Sequence, residues 1–250
     1  MAKKNNLFRR QYLLYAALLC LTVLLTGVIP GNIYRRIYNL TFGRFFRHTV
    51  ESRLSSFSAA AEQRLALKHK FKRFIIIALK AEKQLELWGE TPAGENVFIK
   101  QYSILAASGK SGPKLREGDR QVPEGFYQVE SLHPNSHFYL ALKIAYPSGE
   151  DIAAARLDGR STENLGSNIM LHGRGGSVGC IAVENQDMEE IFWAAAQVGA
   201  QNIEIIILPC DFRNQAPEEK TRPEWLKARY EKLCSRLKNY PQPIQKPANL

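Results

Sequence analysis

The sequence is poor in the residues that build metal and redox sites. Its four cysteines are Cys20, Cys180, Cys210 and Cys234, and no two of them form a Cys-x-x-Cys pair. A zinc ribbon or a thioredoxin-like centre is therefore not expected. Histidine occurs five times. His133 and His137 fall in "HPNSH", where Pro134 disfavours a helical pair of ligands and no carboxylate stands at a familiar metal spacing. They read as turn or surface residues, and neither a metal nor a cofactor is implied. Acidic residues are also scarce, 24 against 34 basic ones, for a formal net charge of +10. That balance suits a negatively charged partner: anionic lipid, nucleic acid or an acidic polymer. No RNA-recognition, helix-turn-helix or zinc-finger signature accompanies it, and the basic residues are spread between the N-terminal segment and the tail, so no nucleic acid is expected. There is no internal repeat.

What the chain does have is one long uncharged run, "YLLYAALLCLTVLLTGVI", from Tyr12 to Ile29. As a helix it would span roughly 27 Å, close to the hydrocarbon core of a bilayer. Lys3, Lys4, Arg9 and Arg10 precede it. No Ala-x-Ala cleavage site follows, and the residues before Cys20 fit a lipoprotein box poorly, so residues 1–30 are expected to form an uncleaved, single-pass signal anchor. Arg35, Arg36, Arg44 and Arg47 match the basic residues on the other side, and the charge rule for orientation is silent.

Residues 31–70 read as a helical linker, with "TVESRLSSFSAAAEQRLALKHK" as a stalk or packing helix. From residue 71 the periodicity becomes strand-like. "FIIIALK" and "LELW" form a candidate hairpin in which Leu85 and Leu87 alternate with Glu86. "VFIKQYSILAA", "GFYQVE" and "FYLALKIAY" add further β-prone runs, and "IEIIIL" (203–208) reads as a strand buried on both faces. "DMEEIFWAAAQVG" predicts a helix with Asp187 as N-cap, Glu190 as its capping-box partner and Gly199 as its stop. The result is a mainly β domain with few helices (α+β) over residues 71–212. Residues 213–250 add a helix with Leu226, Tyr230, Leu233 and Leu237 on one face, then an extended or flexible end.

The chemically richest stretch is "LHGRGGSVGC", Leu171 to Cys180. As a phosphate cradle it fails: Gly173, Gly175 and Gly179 are spaced one residue too long for the dinucleotide fingerprint, no Gly-Lys-Ser/Thr follows them, and the next predicted helix starts too far downstream. As a metal site it offers only His172 and Cys180. A thiol site fits better. A cysteine is roughly a few per cent thiolate at neutral pH, and a neighbouring imidazole can take its proton. Glycines beside it allow sharp turns and bring N–H groups near a developing oxyanion. "NIMLHG" reads as a strand ending at His172 and "CIAVE" as one beginning at Cys180, so two neighbouring strand ends could bring the pair together.

"HGRGGSVGC", with "SGKSGPKLREGDRQVPEGFYQV" and "HPNSHFYLALKIAYP" upstream, resembles the L,D-transpeptidase catalytic domain of the YkuD type, in its YafK-like branch. The resemblance implies a β-sandwich-like catalytic domain acting on diaminopimelate-containing stem peptides of peptidoglycan through a thioester, possible links to a wall-attached lipoprotein included. By position it makes Cys180 the nucleophile and His172 the base and later acid. Gly179 and the Cys180 N–H become oxyanion donors, Ser177 and Gly173 loop supports, and Arg120 and Tyr127 groove-lining residues. It also places the domain on the periplasmic side of the cytoplasmic (inner) membrane. Two features depart from the common pattern: the short interval between His172 and Cys180, and Ala182 where many members have arginine. Cross-linking, protein attachment and hydrolysis stay open, with the short loop leaning towards hydrolysis. A non-catalytic wall-binding or scaffold protein that keeps the fold is the rival from another class.

Overall fold

In a computed structural model of the chain, the structure describes residues 48–216 and 223–243, together with Leu13, Ala16 and Ala17. The expected anchor (1–30) otherwise lies outside the described residues, as do residues 31–47 and the end of the tail. Among the described residues no helix is long and apolar enough to cross a membrane.

Two short helices open the compact unit, α1 (Val50–Leu54) and α2 (Ser58–Leu65). Thr49 caps the first by accepting from the Ser52 N–H. The stretch that the sequence reads as one helix is broken at Ser55–Phe57. It buries Phe57, Ala61 and Leu65 in the main core, with Phe57 edge-on to Phe192 at 6.3 Å.

A meander follows: β1 (Arg73–Leu79), β2 (Gln84–Glu90) and β3 (Asn96–Ser103). β4 (Ala106–Ala107), β5 (Gly125–Ser136) and β6 (Tyr139–Ile144) come next, then helix α3 (Gly149–Leu157), β7 (Met170–Gly173), β8 (Ile181–Val183), helix α4 (Asn185–Val198), β9 (Ile203–Leu208) and helix α5 (Glu224–Leu237). The nine strands make one mixed sheet in the order β3-β2-β1-β9-β5-β6-β7-β8-β4. The order divides into two halves, β3-β2-β1-β9-β5 and β5-β6-β7-β8-β4, joined through β5. The twelve-residue β5 pairs with β9 through Gly125–Gln128 and with β6 from Val129 on, and the register shifts between Val129 and Ser131. A bulge of that kind bends a strand, and both halves of the sheet contribute to one core.

That core takes Phe74, Ile76 and Ala78 from β1, Leu140, Leu142 and Ile144 from β6, Leu171 from β7, Ile181 and Val183 from β8, and Met188, Ile191 and Phe192 from α4. The alternate residues Ile75, Ile77 and Leu79, with Ile206 and Leu208, face a second core made with Leu226, Tyr230, Leu233 and Leu237 of α5. β1 and β9 are thus apolar on both faces because each face meets a different layer.

Two expectations change. α4 starts at Asn185, with Glu184 as N-cap and no side-chain cap, so neither Asp187 nor Glu190 forms a capping box. Glu190 is instead fully buried, paired with Arg64 (2.8 Å) and Lys100 (2.7 Å) and accepting from the Tyr102 hydroxyl. Those cations from α2 and β3 offset the cost of burying the Glu190 carboxylate. Likewise Glu86 is not a solvent-facing residue of an alternating strand. It is buried, paired with Arg213 at 2.6 Å and accepting from the Trp88 indole N–H.

Leu233→Ala, at a fully buried position under α5, is expected to cost about 2–5 kcal/mol in urea unfolding. Urea titrations followed by tryptophan fluorescence check it, and a loss below about 1 kcal/mol would contradict the packing of α5 on the second core.

Candidate active site

β7 and β8 are parallel and in register, with Leu171 opposite Ile181, His172 opposite Ala182 and Gly173 opposite Val183. Parallel neighbours are usually joined by a crossover of about a dozen residues or more. Here residues 174–180 suffice, and the turn falls on left-handed backbone at Arg174 (φ +64°), Gly175 (+78°) and Gly179 (+102°). The Arg174 N–H closes the loop by donating to the Val183 carbonyl at 3.1 Å. Leu171, Ile181 and Val183 point into the core. By strand alternation His172 and Ala182 therefore share the opposite face, and Cys180 is the last residue of the loop, directly before β8.

His172 is 1% exposed. Its Nδ1 lies 3.0 Å from the Gly173 carbonyl oxygen. A carbonyl can only accept, so Nδ1 carries the proton and Nε2 keeps its lone pair. The Phe138 ring stacks on the imidazole with centroids 4.5 Å apart and planes 28° from parallel. Gly173 is tightly enclosed, since a Cβ there would lie 2.8 Å from Asn185 Oδ1.

The Cys180 thiol does not hydrogen-bond to His172; it reaches the Asn168 carbonyl at 3.8 Å. Burial pushes its pKa up, while the Met170 backbone N–H and the Lys114 ammonium pull it back, and the net direction is upward. Around it runs a small hydroxyl lattice. Ser177 Oγ donates to the Cys180 carbonyl and lies 3.0 Å from Ser108 Oγ. The Ser108 N–H donates to Ser177 Oγ (3.0 Å), and Ser108 Oγ donates to the Arg120 carbonyl (2.8 Å). Ser108 Oγ also accepts from the Gly179 N–H at 2.6 Å, so that expected oxyanion donor is already engaged.

The structure thus brings His172, Gly173, Ser177, Gly179 and Cys180 together. Arg120 joins them through its carbonyl and leaves its side chain exposed. Tyr127 does not join them. It is 3% exposed within the core, its hydroxyl within 3.3 Å of the Glu124 carbonyl and Asp151 Oδ1. It stands opposite Ile205 on β9, and that alternation turns its ring inward, away from any surface groove. Sequence reasoning missed Ser108, Asn168 and Phe138. Ser108 was discoverable in principle, since it directly follows Ala106–Ala107, which pairs with β8. Phe138 and Asn168 become neighbours of the pair only through the fold. Cys234 forms no disulfide, and a Cys210–Cys234 bridge is not present.

Two measurements test this geometry. Peptide-resolved iodoacetamide alkylation of Cys180 should rise with pH through and beyond the ordinary thiol range, because burial favours the protonated form. A plateau reached near neutrality would contradict the buried thiol. A Cβ at residue 179 would stand 3.3 Å from the Gln121 carbonyl on a backbone of positive φ, so Gly179→Ala should lower stability by about 1–3 kcal/mol in urea titrations.

The match to known proteins covers the same region. Residues 72–205 match the family model of the YkuD L,D-transpeptidase catalytic domain. The putative L,D-transpeptidase YafK of Escherichia coli K12, and its counterpart in strain O157:H7, are each 35% identical over 136 residues. The match takes in 52% of this chain and 51% of theirs, so the chain spans about half the length of these curated relatives. Among solved structures, the helical cell shape determining protein Pgp2 of Campylobacter jejuni is similar at 20% identity and a TM-score of 0.43, over 71% of this chain and 58% of that one. Bd1075 of Bdellovibrio bacteriovorus is similar at 19% identity and a TM-score of 0.41, over 67% and 56%. With more than half of its length matched to the family model, and with the loop 174–180 inside the matched region, the chain belongs to the YkuD L,D-transpeptidase catalytic domain family.

Proposed function

We propose that this protein is a membrane-anchored cysteine enzyme that cleaves and transfers peptide links at diaminopimelate in peptidoglycan stem peptides. In this reading residues 12–29 hold it in the cytoplasmic membrane and its catalytic domain faces the periplasm, where mature peptidoglycan lies. The observation that carries the reading is the Nδ1 of His172 held on the Gly173 carbonyl, which leaves Nε2 of the neutral ring as an acceptor on β7, joined to Cys180 directly before β8 by the short loop 174–180.

The chemistry follows from that pairing. Substrate binding brings the thiol and imidazole into contact, and Nε2 takes the Sγ proton as Sγ attacks the carbonyl of the diaminopimelate L-centre. The tetrahedral oxyanion is met by the Cys180 N–H, and by the Gly179 N–H once Ser108 releases it. Collapse breaks the C–N bond, Nε2–H protonates the departing amine, and a thioester to Cys180 remains. An incoming amine or a water, deprotonated by Nε2, then attacks the thioester and frees the thiol. An amine yields a new link; water yields hydrolysis of a cross-link, a terminal residue or an attached lipoprotein. The high resting pKa of the thiol fits a nucleophile deprotonated by its base during attack rather than a standing thiolate.

The test is to incubate the full chain and its Cys180→Ala variant with isolated sacculi and to analyse the muropeptides by mass spectrometry. Products specific to the wild type support the reading: new cross-links indicate transfer, and freed residues or protein indicate hydrolysis. The same products from both chains, or none from either, would overturn it and favour a wall-binding role.

A further inference from the structure

His172 is held from the side by an aromatic ring that nothing in the proposed chemistry uses. Phe138 is 43% exposed, while the imidazole it covers is 1% exposed. The ring sits in the two-residue turn of the β5–β6 hairpin, where its N–H donates to Ser136 Oγ at 3.1 Å. The next residue, Tyr139, has φ +79°, a conformation that a bulky L residue keeps only where its surroundings over-determine it.

Those surroundings come largely from the segment ahead of β1. The Tyr139 hydroxyl donates to Glu189 at 2.6 Å, and burial with that bond pushes its pKa up to about 12. The Arg53 guanidinium lies 4.7 Å over the Tyr139 ring. Arg64 pairs with both Glu189 (2.9 Å) and Glu190 (2.8 Å). Asn135 exchanges two hydrogen bonds with the backbone of His48: the His48 N–H donates to Oδ1 (2.9 Å), and Nδ2 donates to the His48 carbonyl (2.7 Å). The hairpin is thus gripped at both ends of its turn by residues 48–64.

We propose that Phe138 is a positioning residue for His172, and that the segment His48–Leu65 fixes it there by gripping the β5–β6 hairpin. This rests on the acyl-transfer reading above and names what aligns its base. The Gly173 carbonyl fixes Nδ1, and the stacked ring blocks rotation of the imidazole out of its plane. Together they fix the direction of the Nε2 lone pair. The ring also keeps water from one side of the imidazole.

The test uses the full chain in detergent with sacculi as substrate, measuring kcat and KM for muropeptide release. Phe138→Ala should lower kcat by roughly ten- to a hundredfold, the scale of a misaligned catalytic group, with KM and the unfolding midpoint nearly unchanged. Phe138→Tyr should restore kcat to within about threefold of wild type, since its ring stacks equally well. The pair Arg53→Ala and Asn135→Ala should lose a smaller share of kcat and add little to Phe138→Ala, because both changes act through one hairpin. A Phe138→Ala enzyme with wild-type kcat would overturn the proposal alone. So would a Phe138→Tyr enzyme as slow as Phe138→Ala, or full additivity with the Arg53→Ala and Asn135→Ala pair. A wild type with no Cys180-dependent product would overturn the acyl-transfer reading itself, and this proposal with it.

Discussion

β7 and β8 run parallel and in register although only residues 174–180 connect them. That constraint shapes the rest of the site. The chain must leave Gly173, turn back along the strand, and turn again to enter β8 in the same direction. Two reversals in so few residues demand backbone that L side chains avoid, and the loop supplies Gly175 and Gly179 at positive φ. At Gly179 a side chain would also press on the Gln121 carbonyl and Ile169. The glycines are therefore explained by the path of the chain. The same path brings Cys180 to the start of β8, beside the strand that carries His172, without a hydrogen bond between the two side chains.

A second set of interactions keeps the neighbouring loop 108–124 in place, and it draws on the far side of the molecule. Glu124, fully buried, pairs with Lys80 at 2.9 Å and accepts from the hydroxyl of Tyr230 on α5. Lys80 also donates to the carbonyls of Lys110, Gly112 and Val122. Arg229 of α5 pairs with Asp151 and donates to the Glu124 carbonyl, both at 2.9 Å. Charges buried this deeply are costly unless every partner is present, so the loop has one arrangement that satisfies them. Ser108 and Arg120, which touch the Gly179 end of the thiol loop, stand on that framework. α5 therefore seals the second core and helps to hold the active-site loop.

How far the sequence reveals this depends on the range of the interaction. The strands of 73–79, 84–90 and 203–208 are legible because apolar runs and alternation report local burial. The glycine loop with His172 and Cys180 is legible because strand–loop–strand is a local pattern whose chemistry is carried by two residue types. The α4 cap is misread because Glu190 looks like a capping residue three positions after Asp187, whereas its partners lie on α2 and β3. Glu86 is misread for the same reason: alternation presumes that one face meets water, and α5 with its following segment covers that face. Tyr127 looks like a groove residue by family position, but its pairing with Ile205 turns it inward. Phe138 could not be found from its neighbours in sequence, since the imidazole it covers is 34 residues further along the chain, as the numbering of the pair shows.

The protonated thiol and the covered imidazole belong to one physical solution. An exposed thiolate is open to oxidants as well as to carbonyl carbons. Burial disfavours the charge and favours the protonated Cys180 thiol. In the reaction proposed above, such a thiol acts as a nucleophile only beside a base in the right tautomer and the right plane. Nδ1 on the Gly173 carbonyl supplies the tautomer, and Phe138 stacked on the ring supplies the plane. Since the hairpin that presents Phe138 is gripped by the segment ahead of β1, a change in that segment reaches the His172 imidazole through packed side chains. No backbone motion of β7 or β8 is needed for it.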